Sequence, residues 1–283
     1  MAKDRMAFIG GGVMAEAMIR AVLDKHLVPP SSIAVTGPRP ERRAELAKQF
    51  GIAAHASNGD AAKAADVVVL SVKPQVLPTV MKELRGKMRP DQLVISIVAG
   101  ANMRALEVGL EHPTIVRAMP NTPAQVGMGV TAWYPSHAVT PEQREHAKSI
   151  VAALGEELMV EDESYLDMAT ALSGSGPAYV FLFTEALIDA GVHMGFPRRI
   201  AEQLVLQTIK GSASFYDQAG RHPATLRNQV TSPGGTSAEA LYYLEKAGFR
   251  TAISRAVWAA YQRSLELGKE KPGHIDTHED EEK

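Results

Sequence analysis

No cysteine occurs anywhere in the 283 residues. Disulfides, thiol nucleophiles and Cys-ligated zinc are excluded together, and a reducing cytoplasmic setting is compatible with that lack. Aromatic residues make up only 6%, and neither sign of charge dominates: 30 Lys and Arg against 32 Asp and Glu leave a net charge of -2. No global field therefore favours nucleic acid or an anionic membrane, and neither is expected as a partner. The longest apolar run, "AYVFLFTEALIDAGV", carries Glu185 and Asp189. It reads as too short and too charged for a bilayer span, so a buried helix is expected there. "MAKDRMAFIGGG" enters a strand and a glycine turn at once, leaving no room for a signal peptide. The histidines show no metal-ligand spacing, and no metal is expected; His274 and His278 fall in a polar acidic tail.

What is present suits an ordinary globular protein: 45% hydrophobic and 22% charged residues, over a length sufficient for two cores. The first half alternates apolar runs ("MAFIG", "SIAVTG", "ADVVVLSV", "QLVISIVAG", "TIVRAMP") with helical patterns such as "AEAMIRAVLDKHL" and "PERRAELAKQF". Near-continuous Val, Ile and Leu strands predict a parallel, doubly wound sheet covered on both faces. A further strand near "VTAWYP" and a helix over "TPEQREHAKSIVAALG" extend this half. From "DESYLDMATALSG" onward only helices are predicted, punctuated by Gly and Pro. The expected division is 1–161 for an α/β dinucleotide-binding domain and 162–268 for an all-helical domain, with 269–283 a disordered tail.

Gly10-Gly11-Gly12-Val13-Met14-Ala15 reads G-x-G-x-x-A between a strand and an amphipathic helix. The first glycine permits the turn, Gly12 lets a pyrophosphate approach the backbone, and Ala15 permits close helix–strand packing. The end of the second strand then bears on which dinucleotide binds. An NAD site usually has a carboxylate there for the ribose 2′-hydroxyl, whereas this chain offers Thr36, Gly37 and Arg39, followed by Arg42 and Arg43. A guanidinium can grip a 2′-phosphate bidentately, so NADPH is favoured over NADH. A solvated helix face is the bland reading for at least one of these arginines.

Four further stretches are unusual for plain structure. "LSVKPQV" ends a strand in Lys73-Pro74, and "RAMPNTPAQVGMG" sets Asn121 in a rigid loop with prolines near it on both sides. "ALSGSGPAY" and "VTSPGGTSAEAL" are the others. Together with "FIGGGVMAEA", they resemble the pyrroline-5-carboxylate reductases over nearly the whole chain, "QVTSPGGTSAEALYYLE" being the most specific signature. The resemblance implies an N-terminal Rossmann domain, a helical C-terminal domain, and a homodimer through the latter, often assembled further into rings. It implies a cofactor along Gly10 to Met14, Thr36 to Arg39, Asn58, Val72, Lys73 and Ala99, with Asn121 joining that set. It also puts the small-molecule substrate at Glu163 and at Ser232 to Ser237, a run that includes Gly234, Gly235 and Thr236. The family uses both nicotinamides.

The chemistry implied is reduction of a C=N bond in a small ring bearing a carboxylate. Gly234 and Gly235 would bare backbone N–H groups at a helix start, an anion cradle for that carboxylate. Ser237, with Thr236 as the second candidate, is expected to hydrogen-bond the ring nitrogen. Ser232 and Thr236 could instead cap the helix. Lys73 could be a solvated strand-end lysine, and Glu163 a helix-start acid favoured by the dipole. A β-hydroxyacid dehydrogenase of similar layout would carry Lys-x-x-x-Asn on the helix after "GSGPAY". Thr184, Glu185 and Asp189 stand there instead. A non-catalytic NADPH-binding regulator is the third reading.

Overall fold

The computed structural model describes residues 4–268; the acidic tail expected over 269–283 lies outside them. Eight strands form one sheet: β1 (Met6–Ile9), β2 (Ile33–Thr36), β3 (Ala53–Ala54), β4 (Val67–Leu70), β5 (Leu93–Ser96), β6 (Ile115–Met119), β7 (Gly129–Pro135) and β8 (Gly155–Met159). Their spatial order is β3-β2-β1-β4-β5-β6-β7-β8. All neighbours run parallel except β6 and β7, which the loop around Asn121 joins as an antiparallel pair. Between them pack α1 (Val13–Asp24), α2 (Pro40–Phe50), α3 (Asn58–Ala64), α4 (Leu77–Leu84), α5 (Met103–Leu110) and α6 (Pro141–Ala152).

Strand alternation explains the two layers. Phe8, Val35, Val69 and Ile95 point to one face, where Met18, Ile19 and Val22 of α1 and Ile150 of α6 close a core. Ile9, Val68, Leu70 and Val94 point to the other, against Leu77, Val80, Leu84 and Leu106 of α4 and α5. Chain order reverses at β1, which lies between β2 and β4. That is the switch point where open α/β sheets bind ligands beyond the strand ends. Register makes the ends level: Ile9 is paired with Thr36 on one side and Leu70 on the other, and Leu70 with Ser96. The loops that begin at Gly10, Gly37, Ser71 and Ile97 therefore emerge side by side.

Strands end at β8, and α7 (Tyr165–Ala169) begins the helical part, continued through a π-helical turn at Thr170–Gly174. By compactness the chain divides between Ser175 and Gly176, and the described residues from Ala260 to Gly268 return to the first unit. The sequence boundary near 161 marks the change from strand to helix. The compact unit runs further, because α7 packs on β6 and β7. The segment 260–268 belongs with it too: the Ser264 hydroxyl donates to Asp167 at 2.6 Å, and a Cβ on Gly100 would stand 2.7 Å from that of Leu267.

The second unit comprises α8 (Gly176–His193), α9 (Arg198–Ala219), α10 (Pro223–Gln229), α11 (Thr236–Lys246) and most of α12 (Phe249–Leu267). Here one expectation fails. The apolar α8 is not buried: Gly191 is its single buried residue, and Phe181 and Leu182 are 68% and 67% exposed. The length argument against a span fails as well, because the π-turn joins α7 to α8. The helical stretch Tyr165–His193 has 29 residues and a window of mean hydropathy 1.2, enough to cross a membrane by length and composition alone. Phe215, Tyr242, Tyr243 and Trp258 are exposed too. So much open aromatic and aliphatic surface exceeds what a lone soluble domain usually shows and marks an interaction face.

Candidate active site

The cleft at the switch point has a volume of about 360 Å³ and is walled by Gly10–Gly12, Thr36–Arg39 and Ser71–Lys73, with Arg42 and Arg43 behind. Gly10 turns the chain at φ +108°, where a Cβ would fall 2.8 Å from the Ser71 carbonyl oxygen, so no side chain fits. Ser71 also latches the turn, its hydroxyl donating to the carbonyls of Ile9 (3.2 Å) and Gly10 (2.8 Å). Gly12 is different: its backbone is extended, and an added Cβ would find only the Ser71 oxygen, 4.0 Å away. Gly12 is also the N-cap of α1, and no side chain caps that helix. The first N–H groups of α1 thus face an open cradle, and the dipole favours an anion there. A dinucleotide phosphate fits that cradle.

The three arginines separate cleanly. Arg42 is a brace: Nε donates to the Gly11 carbonyl at 3.0 Å, and its other nitrogens hold Glu16 (2.5 Å) and Glu45 (2.9 Å). Arg43 donates to the Gly37 carbonyl. Arg39 is exposed and has no side-chain partner among the described residues, yet it stands at the N-cap of α2. A cation there opposes the helix dipole, an unfavourable placement unless an anion joins it. Glu16, in the first turn of α1, is consumed by Arg42, Gln49 and Arg20.

Hydrogen bonding to Arg42 holds Glu16 below the usual carboxylate range, against burial that pushes the other way. A lowered folded-state value means stability that is present above about pH 4.5 and is lost as pH falls through the lowered value. Glu16→Gln should therefore melt below the parent at neutral pH, by a margin on the order of 1 kcal/mol. The margin should close in acid, and melting curves at the two pH values check it.

Val72 and Lys73 line the cleft, and Val13 opens α1; Val13 and Lys73 are exposed and Met14 packs against the core. Ala99 follows β5 on the loop beside that of Ser71. Val13, Met14, Asn58, Ala99 and Asn121, all expected at the cofactor, are not among the residues that wall the cleft. Asn58 opens α3 and donates to Glu83 at 2.6 Å. Asn121 accepts from the Val130 N–H at 2.9 Å and donates to the Ser173 carbonyl at 3.2 Å, spending its amide on the loop. Glu163 precedes α7 and accepts from the Met103 N–H at the start of α5 and from the Arg117 guanidinium. Neither Ser71 nor Arg117 stood out in the sequence, although an arginine inside the apolar strand "TIVRAMP" was a readable signal.

The second glycine turn lies in the helical unit. Ser232-Pro233-Gly234-Gly235 closes with the Gly235 N–H donating to the Ser232 carbonyl at 3.0 Å, and Gly234 sits at φ +70°. Pro followed by a left-handed Gly is the pattern of a type II turn. A Cβ on Gly235 would strike the Ser232 hydroxyl at 2.6 Å. α11 begins at once, capped by no side chain, so Ser232 and Thr236 do not act as caps here. Its leading N–H groups stand beside the hydroxyls of Thr236 and Ser237.

Comparison with known proteins agrees with this layout. A family model described as pyrroline-5-carboxylate reductase dimerisation matches residues 163–267, and one described as NADP oxidoreductase, coenzyme F420-dependent, matches 5–100. The pyrroline-5-carboxylate reductase of Synechocystis is 46% identical over 94% of this chain and 98% of its own; that of Pseudomonas aeruginosa is 42% identical over 95% and 99%. Among solved structures, the pyrroline carboxylate reductase of Plasmodium falciparum with NADP bound superposes with a TM-score of 0.88 at 33% identity, covering 95% of this chain and 99% of that one. With both glycine turns in place and kinship running along nearly its full length, this chain belongs to the pyrroline-5-carboxylate reductase family.

Proposed function

We propose that the protein reduces 1-pyrroline-5-carboxylate to proline, the last step of proline biosynthesis, in the cytoplasm. The observation that carries this reading is the presence, in a chain of this family, of two bare helix starts: α1 behind Gly12 and α11 behind Gly235. Each presents unspent N–H groups to an anion. The first suits a pyrophosphate, the second the ring carboxylate. A nicotinamide dinucleotide anchored at the first by its pyrophosphate would supply, when bound, the hydride for the imine carbon. The protein's own tasks are positioning and electrostatics.

Arg39 would hold the 2′-phosphate, while Arg42 and Arg43 keep the turns behind it rigid. Val72, Lys73 and Ala99 would flank the nicotinamide end. Gly234, Gly235 and the hydroxyls of Ser232, Thr236 and Ser237 would hold the substrate, with Glu163 contacting it. Ser237 donates to or accepts from the ring nitrogen, keeping the imine in the hydride path. A protonated iminium is the better acceptor, and a cyclic imine can collect that proton from solvent.

Mixing the protein with NADPH and pyrroline-5-carboxylate and following NADPH absorbance tests the reading. A flat trace with NADPH still bound would leave a regulator; oxidation of a β-hydroxyacid when NADP+ is supplied in place of NADPH would favour the dehydrogenase. Cofactor choice has its own readout. Arg39→Ala should raise KM for NADPH about tenfold and leave KM for NADH unchanged, because only the former carries the phosphate. A second copy of the chain covers the open face of α8, giving at least a homodimer and, by further contacts, a ring. The mass from light scattering distinguishes these states, and the mass of a single chain would contradict both.

A further inference from the structure

Arg117 is the one lysine or arginine among the described residues that is buried, at 5% exposure. It occupies the middle of β6, between β5 and β7, in register with Ser96 on one side and Tyr134 on the other. A cation inside a sheet is costly unless it is paired, and the partner here is Glu163. The bond comes from a strand to a carboxylate 46 positions further along the chain, so it is not a by-product of local geometry. Glu163 has a second donor, the Met103 N–H, the first of α5, whose dipole also favours negative charge.

Both donors act on the same oxygen, Oε1. With Oε1 shared between a guanidinium anchored in the sheet and a helix-start N–H, the carboxylate has its orientation fixed at one end. Its side chain remains 30% exposed, so it is open to a ligand. Oε2 has no donor among the described residues and keeps its acceptor capacity for a ligand N–H. We infer that Arg117 is a positioning residue for the substrate, acting through Glu163 and not by touching the ligand. The inference rests on the placement of Glu163 at the substrate given under Proposed function, and it identifies the ligand group as a ring N–H, that of the protonated iminium or of the product amine.

The experiment uses the whole enzyme and four variants: Arg117→Met, Arg117→Lys, Glu163→Gln and the double Arg117→Met/Glu163→Gln. Arg117→Met should raise KM for the pyrroline substrate about tenfold while KM for NADPH stays within twofold, a split that general loosening would not produce. Arg117→Lys, which keeps the charge but not the planar fork, should recover part of the loss. In the Glu163→Gln background, Arg117→Met should add less than a further twofold, because the residue it acts through is already disabled.

Multiplying effects in the double variant, or an unchanged substrate KM in a folded Arg117→Met enzyme, would overturn the inference and leave Arg117 a structural ion. If Arg117→Met fails to fold, Arg117→Lys decides: a substrate KM raised severalfold over the parent with KM for NADPH unchanged supports the inference, and an unchanged substrate KM overturns it. An unchanged KM in Glu163→Gln alone would instead locate the failure in the placement of Glu163, and the inference would fall with it.

Discussion

Gly12→Val should abolish NADPH binding and leave the melting temperature within a few degrees of the parent. The Cβ direction at Gly12 is open, with nothing nearer than the Ser71 oxygen at 4.0 Å, and its backbone is extended, a conformation any residue adopts. The folded state therefore tolerates the valine, which projects into the space a phosphate needs. Losing two charge-assisted bonds to helix N–H groups costs on the order of 3–5 kcal/mol, a loss of affinity of a hundredfold or more. Gly10→Ala, two residues earlier, should behave in the opposite way. At φ +108° and 2.8 Å from a backbone oxygen, that methyl has no space, so stability falls by about 2 kcal/mol or more. Calorimetric titration beside a thermal melt separates the two cases. Binding in Gly12→Val within fivefold of the parent would mean that the phosphate is held elsewhere.

These two glycines also show what a sequence can disclose. G-x-G-x-x-A after an apolar run carries its geometry in its residue types, and the strand ends at Ile9, Thr36 and Leu70 followed from hydrophobic runs that stop at glycine or at polar residues. β8 was not legible because it lies at the sheet edge: "GEELM" buries no residue fully and so has no apolar run to read. β3 is two residues long, too short for any pattern. The antiparallel direction of β7 is a matter of pairing, which composition does not encode. α8 was misread for a related reason. Its apolar residues do call for burial, but a single chain's sequence cannot say whether its own core or another copy provides it. Arg39, Arg42 and Arg43 looked equivalent as letters. In the fold two of them are spent on carbonyls and carboxylates, and the third, Arg39, has no side-chain partner among the described residues.

Ser237→Ala should lower kcat/KM for the pyrroline substrate about a hundredfold, with the NADPH dissociation constant within twofold of the parent. Ser237 is the second residue of α11, and Gly235, not a hydroxyl, occupies the N-cap. Had Ser237 been needed to complete the helix start, its loss would appear as a stability change of about 1 kcal/mol. With no such duty, the hydroxyl can act on the ligand alone. A neutral hydrogen bond contributes about 1 kcal/mol, and the rest of the expected loss comes from the ring drifting out of line with the hydride donor. Ser237→Thr restores the hydroxyl and adds a methyl that stiffens its rotamer, so activity should return to within a few-fold of the parent. The pair of substitutions discriminates sharply. If Ala and Thr variants turn over equally well, the hydroxyl is idle, and the task of holding the ring nitrogen passes to Thr236 or to the backbone of the glycine turn.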